Sequence, residues 1–223
     1  MVNQSKLQFH LGCGKRNFGP DWIHLDGCGS SMWQSKEYEH IQGNTIYPLT
    51  YYYRKSVYPM DENLITNKVI WCPDTKTYIS DNSADLIYAS HVLEYFDRQE
   101  AEKVLKDWFS KLKSGGLLRL AVPDFDAMAR LYLAWKNKVD LDLILGPLYG
   151  RMEMSGKTIY HKTVYDLPSL TKILKKVGFS KVKPYNWSIT PPHDKIDDHS
   201  QAYLPHMDKE NGTLISLNVE AVK

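Results

Sequence analysis

Along KLQFHL, Lys6 to Leu11, apolar and polar residues alternate, and the run stops on Gly12, Cys13 and Gly14. That pattern predicts a strand ending in a tight turn. A second strand, WIHLD from Trp22 to Asp26, follows after a link that leaves almost no room for a helix. VIW, Val69 to Trp71, and DLIYASHV, Asp85 to Val92, are nearly unbroken apolar runs of the kind seen in strands buried on both faces. LLRLAVPDF follows as another strand, and SKVKPYNW and LISLNVEAV close the chain. The last two are separated by a polar loop, Ser188 to Gly212, without a helical pattern, so they are expected to pair antiparallel.

Between the strands the period changes to that of helices. Asp97 and Glu100 form a capping-box pair, and Ala101, Val104, Leu105, Trp108, Phe109 and Leu112 recur on one face before Gly115 and Gly116. Met128, Leu131, Tyr132 and Trp135 mark a second helix. In a third, Asp166 is the cap, Pro168 lies in the first turn, Leu170, Ile173, Leu174 and Val177 face inward, and Gly178 is the stop. This alternation predicts an α/β fold: a Rossmann-like, mostly parallel seven-stranded sheet with helices on both faces and an antiparallel last strand. A ligand is then expected outside the carboxyl ends of the strands. From Cys28 to Lys68 there is no clean period, and Pro48 and Pro59 interrupt strand-like runs, which reads as an irregular insertion after strand two.

The chain has 223 residues, which suits one α/β domain over 1–223, with 28–68 and 141–162 as substrate-side insertions. Net charge is +2 with the signs interspersed, so no basic stripe marks a nucleic-acid partner. Cys13, Cys28 and Cys72 cannot all pair and lack the close spacing of a zinc or redox site, which fits a reducing compartment. No apolar secretion stretch begins the sequence and no segment has eighteen uninterrupted apolar residues. A soluble, cytoplasmic protein without a membrane span is the expectation.

Chemistry enters at HLGCGKRNFG, where a glycine turn after the first strand lets a ligand approach bare backbone. A dinucleotide fingerprint would need glycine where Asn17 stands, which argues against a nicotinamide-dependent oxidoreductase. LGCG after strand one, DNSADLIYASHVLEYF around strand four and LKSGGLLRLAVPD into strand five together resemble the class I methyltransferases that use S-adenosylmethionine (SAM). GPDWIHLD, PDFDAMARLY and the closing SLNVEAVK extend the resemblance over most of the chain, towards a group of methyltransferases linked to cell-surface or viral polysaccharide synthesis.

The resemblance implies a SAM-binding set. Gly12, Cys13 and Gly14 would pass their backbone along the methionine part, with His10 beside them, and Asp26 would accept from the ribose hydroxyls. Asp74 and Thr75 match the adenine-contacting position, although Tyr78, Ile79 and Ser80 stand where the family has Leu-Pro-Phe. Ser90 and His91 would lie beside the donor, with Leu93 and Glu94 supporting the turn. The link between strands one and two departs from the family, which places a helix there.

The reaction so implied is O-methylation of a sugar or glycan hydroxyl, with S-adenosylhomocysteine as product. Alignment of nucleophile, methyl and sulfur is the main task, and a general base contributes roughly 10²- to 10⁴-fold. His91, Asp124 and His161 are the candidate bases, and Tyr149, His193, Asp198 and His199 the candidate substrate contacts. In PPHDKIDDHS a divalent-metal cluster and a solvated polar loop both remain open, and no metal is assigned. Tyr47, Tyr51, Tyr52, Tyr53 and Tyr58 could offer ring faces to an acceptor. Expected partners are a sugar, glycan or glycolipid, within a larger glycan-synthesis protein or complex. Two other readings are a methyltransferase for another metabolite or a protein, and a catalytically silent SAM-binding protein.

Overall fold

The computed structural model describes residues 6–13, 16, 18–19, 21–26, 39–41, 44–46, 68–71, 79–135, 141–154, 157–196, 198–205 and 207–223. The strands are β1 Gln8–Leu11, β2 Trp22–Asp26, β3 Glu39–Ile41, β4 Asn44–Ile46, β5 Lys68–Trp71, β6 Ala84–Ser90, β7 Leu112–Pro123, β8 Met152–Met154, β9 Lys157–Ile159, β10 Ser180–Pro184, β11 Tyr203–Leu204, β12 Thr213–Leu214 and β13 Ser216–Val222. The helices are α1 Arg98–Lys111, α2 Phe125–Trp135, α3 Asp142–Tyr149 and α4 Leu167–Val177.

The main sheet has the order β10-β13-β7-β6-β1-β2-β5-β4-β3. Strands β5, β2, β1, β6 and β7 are parallel neighbours. β13 is inserted antiparallel between β7 and β10, so β10 runs with the parallel set. These are the strands predicted from the sequence, and the antiparallel pairing of the last two is as expected. The sheet nevertheless has nine strands among the described residues, because the hairpin β3–β4 from the insertion adds to its edge along β5.

Strand alternation divides the core. Phe9, Leu11, Ile87, Ala89, Leu118, Leu120 and Val122 point to one face and pack against Ala101, Leu105 and Trp108 of α1 and Leu170, Ile173 and Leu174 of α4. Both helices start as their sequences predict. The Asp97 side chain accepts from Gln99 and Glu100 N–H, completing a capping box, and Asp166 does the same with Ser169. The opposite face carries His10, Leu86, Tyr88 and Arg119, closed over by Phe18, Trp22 and the segment around His193–Gln201. A third cluster joins Met128 and Leu131 of α2 to Ile144 of α3, Leu204 and Ile215.

Two local expectations change. Gly115 and Gly116 do not stop α1, which ends at Lys111; they fall within β7, at a shift in its register with β6. Segment 141–162, read without elements, holds α3 and the hairpin β8–β9. Among the described residues, no helix is long and apolar enough to cross a membrane.

Candidate active site

The sheet changes direction of growth at β1 and β6: β2 and β5 lie on one side, β7 and β13 on the other. Crevices at such switch points, outside the carboxyl ends of the strands, are where open α/β sheets bind ligands. The ends of β1, β2 and β6 meet here. Gly12 and Cys13 both donate their backbone N–H to the Leu25 carbonyl, at 2.8 and 3.3 Å, which ties the glycine turn to the end of β2. Asp26 is the next residue, in register with Trp71 of β5. At Gly12, φ is +62°, and a Cβ there would stand 2.3 Å from Val92 Cγ2, so glycine alone admits both the turn and the β6 loop against it.

His91 lies just past the end of β6 with φ +52°, a left-handed conformation that costs a non-glycine residue about 1–3 kcal/mol. Three contacts hold it there. Its N–H donates to the Ala121 carbonyl at 2.8 Å, its Nδ1 lies 3.0 Å from Glu94 Oε1, and its Nε2 lies 3.0 Å from Ser216 Oγ at the start of β13. The His91 side chain is 18 % exposed and that of Glu94 fully buried. Glu94 belongs to a 3₁₀ turn, Leu93–Tyr95, so three-residue spacing brings its carboxylate back to His91.

His161 reaches the same carboxylate from the segment after β9, with Nε2 3.7 Å from Glu94 Oε1. Its Nδ1 faces the Leu148 carbonyl at 3.2 Å, and its ring packs edge-on against Tyr95. Burial lowers its pKa, against an upward pull from Glu94. Gly150 makes room for this ring: φ is +51°, and a Cβ would lie 1.9 Å from His161 Nε2. The Glu94 carbonyl accepts from the N–H groups of Lys162 and Thr163, fastening this segment to the turn.

Asp124, at the end of β7, caps α2 by accepting from Asp126 and Ala127 N–H, and burial raises its pKa. That leaves it a structural duty that His91 does not have. Tyr149 ends α3 and is 55 % exposed, and its carbonyl accepts from His161 N–H. Ser90, the last residue of β6, is buried and precedes His91.

Three other expected site residues sit elsewhere. His10 alternates onto the sheet face, where its ring stacks on Phe18 at 4.3 Å and is 2 % exposed, so its side chain is in the core rather than in the crevice. His193 and Asp198 are buried on that same face: the Tyr88 hydroxyl donates to Asp198 Oδ2 at 2.5 Å, and Arg119 Nη1 lies 3.4 Å from His193 Nε2. They form an internal network in place of an open acceptor surface. His199 lies in a 3₁₀ turn, His199–Gln201. Gly14, Asp74, Thr75 and the tyrosines Tyr47, Tyr51, Tyr52, Tyr53 and Tyr58 lie outside the described residues, as do the side chains of Asp26 and His199. Among the described residues, no group of three or more His, Cys, Asp or Glu is arranged to hold a metal ion.

Glu94 was visible in the sequence only as a support for the turn, and Ser216 not at all. The His-x-x-Glu spacing directly after a buried strand was the available signal for Glu94; Ser216 comes 125 residues after His91 and leaves no local trace.

The architecture is a Rossmann-like α/β fold, with a largely parallel sheet and two reversed strands, β4 and β13. The family profile described as a methyltransferase domain matches residues 42–120, about a third of the chain. A candidate O-methyltransferase from Nostoc punctiforme PCC 73102 superimposes with a TM-score of 0.51 at 11% identity, covering 100% of this chain and 53% of its own. A SAM-dependent methyltransferase from Archaeoglobus fulgidus gives 0.48 at 13% identity, with 99% of this chain and 87% of that one covered. Another, from Methanosarcina mazei, gives 0.48 at 15% identity, with 99% and 93% covered. Comparison with curated protein sequences returns no match.

Proposed function

We propose that this chain is a SAM-dependent methyltransferase that transfers the methyl group to a hydroxyl, with a sugar or glycan as acceptor and S-adenosylhomocysteine as product. The observation that carries the reading is the meeting, at the switch point of a methyltransferase-type sheet, of a glycine turn with a histidine held between a buried carboxylate and a serine hydroxyl. SAM is a substrate here, consumed once per turnover, and supplies a methyl group on a sulfonium. The residues present suit it: Gly12 is exposed at the strand edge, and Asp26 follows at the end of the neighbouring strand.

His91 is the general base of this reading. It is partly exposed, its Nε2 already meets a hydroxyl at 3.0 Å, and Asp124 is engaged as a helix cap. His161, whose Nε2 faces the same Glu94 carboxylate, and the exposed Tyr149 belong to the 141–162 segment, which is the acceptor side in this reading. The glycan acceptor, and membership of a larger glycan-synthesis assembly, follow from the sequence resemblance.

The test is incubation with methyl-labelled SAM and a panel of glycans, glycolipids, small metabolites and proteins, read by product mass. A mass gain of one methyl on a glycan hydroxyl is the expected result. Gain on another acceptor class would replace the glycan. SAM binding by calorimetry without transfer to any acceptor would make the chain a silent SAM-binding protein.

A further inference from the structure

Glu94 makes contacts that the reaction above uses only through His91. Its carboxylate is fully buried, and neither oxygen has a well-aligned hydrogen-bond donor, although His91 Nδ1 lies 3.0 Å away on one side and His161 Nε2 3.7 Å away on the other. A buried carboxylate is costly unless something compensates it. The two histidines are not equivalent compensators. His161 Nδ1 faces the Leu148 carbonyl, which only accepts, so in the neutral ring the proton sits on Nδ1 and the lone pair of Nε2 points at Glu94. Of the two rings, His91 is the one whose Nδ1–H can turn onto Glu94, from 3.0 Å away. This leaves the lone pair of His91 on Nε2, where the Ser216 hydroxyl can donate into it.

We infer that Glu94 is a positioning residue for methyl transfer, its carboxylate holding the His91 proton on Nδ1 so that Nε2 is the nitrogen that takes the acceptor's proton. The inference rests on the methyltransferase reading above. In the step, the acceptor hydroxyl replaces Ser216 at Nε2. The acceptor oxygen bonds the methyl carbon as the carbon–sulfur bond breaks, with its electron pair staying on sulfur. The hydroxyl proton passes to His91 Nε2, and the products are the methyl ether and S-adenosylhomocysteine. The imidazolium so formed keeps Nδ1–H against Glu94, 3.0 Å away, and returns its proton to solvent across the exposed part of the ring. The logic matches that of a base oriented by a third group. The 148–163 segment takes part through Gly150, whose missing Cβ admits His161 beside the carboxylate.

The experiment uses the full chain and two readouts. In the ligand-free protein, nitrogen NMR of the His91 imidazole should report the Nδ1–H tautomer in the wild type. In Glu94→Gln, whose amide donates as well as accepts, a mixture of tautomers is expected. In turnover, Glu94→Gln should lower kcat by about 10²-fold, within the range a placed base contributes, while the Kd for SAM stays within about twofold and the melting temperature does not fall. Glu94→Asp, which restores the charge, should recover about tenfold of the loss. An unchanged His91 tautomer in Glu94→Gln, or an unchanged kcat, would overturn the positioning role while SAM binding and methyl transfer by the wild type stand. A wild type that neither binds SAM nor transfers its methyl would overturn the methyltransferase reading itself, and the role with it.

Discussion

At Gly12 the chain spends its freedom of conformation on a contact within the protein, since Val92 occupies the space a Cβ would take. Gly12→Ala must therefore move the β6 loop or abandon the left-handed turn. We expect a loss of about 1–3 kcal/mol in urea unfolding together with weaker SAM binding by calorimetry, because the displaced loop carries His91. Full SAM affinity in this variant would mean that the crevice does not depend on the turn. Asp26→Ala tests the neighbouring strand end differently. Losing a charged acceptor for two ribose hydroxyls should cost about 1.5–3 kcal/mol, roughly ten- to a hundredfold in Kd, with little change in stability. At this scale the sequence is informative where chemistry follows local order, as in the glycine turn and the histidine after β6. It is misleading at His10, whose nearness to the turn in sequence is undone by the two-residue period of the strand.

The elements of the far face are separable from the crevice. The capping box of Asp97 satisfies two N–H groups at the start of α1, and this helix packs on the face lined by Ile87 and Leu118. Asp97→Ala should lower stability by about 1 kcal/mol in thermal or urea unfolding and leave the Kd for SAM unchanged. A fall in SAM affinity would show that the start of α1 reaches the site through the turn before it. Why some elements were legible follows from the same physics. β6 and β7 are long, apolar and bounded by polar residues, and α1 and α4 carry both period and caps, so each signal repeats several times. β3 and β4 have three residues each, too few for a period of two to stand out among aromatics. α3 has Gly146 and Pro147 within its eight residues, so its local preference speaks against the helix that packing on α2 stabilises.

For the whole molecule, the unusual feature is the sheet face opposite α1 and α4, which is filled by buried polar rings and ions. His10 and His24 lie within it, and the Phe18 N–H donates to His24 Nε2 at 2.9 Å, which requires a bare nitrogen there. Burial lowers the pKa of His24 to about 4 and lowers that of His10 as well, with His24, His193 and Arg16 adding to the effect and Asp198 opposing it. Asp198 behaves oppositely. Burial disfavours its charge, but His193, Ser200 and Tyr88 outweigh burial and hold its pKa below the ordinary carboxylate value, so its contribution is lost only at more acidic pH. As pH falls from 6.5 towards 4, His24 takes up a proton in the unfolded chain before it does so in the folded one. The unfolded state then binds more protons, so stability falls with falling pH across that interval. At ~1.36 kcal/mol for each pH unit, His24 alone accounts for about 3 kcal/mol between the two values, and His10 acts in the same direction. Urea midpoints should therefore be level above about pH 7.5 and decline steadily to about pH 5.5, above the range in which most carboxylates titrate. His24→Gln keeps an acceptor for Phe18 and removes the titration, so its decline should be shallower. Level midpoints from about pH 7.5 to about pH 5.5 in the wild type would mean that these rings carry their protons inside the fold, and that the second face is wetter than the packing of Phe18, Trp22 and Tyr88 implies.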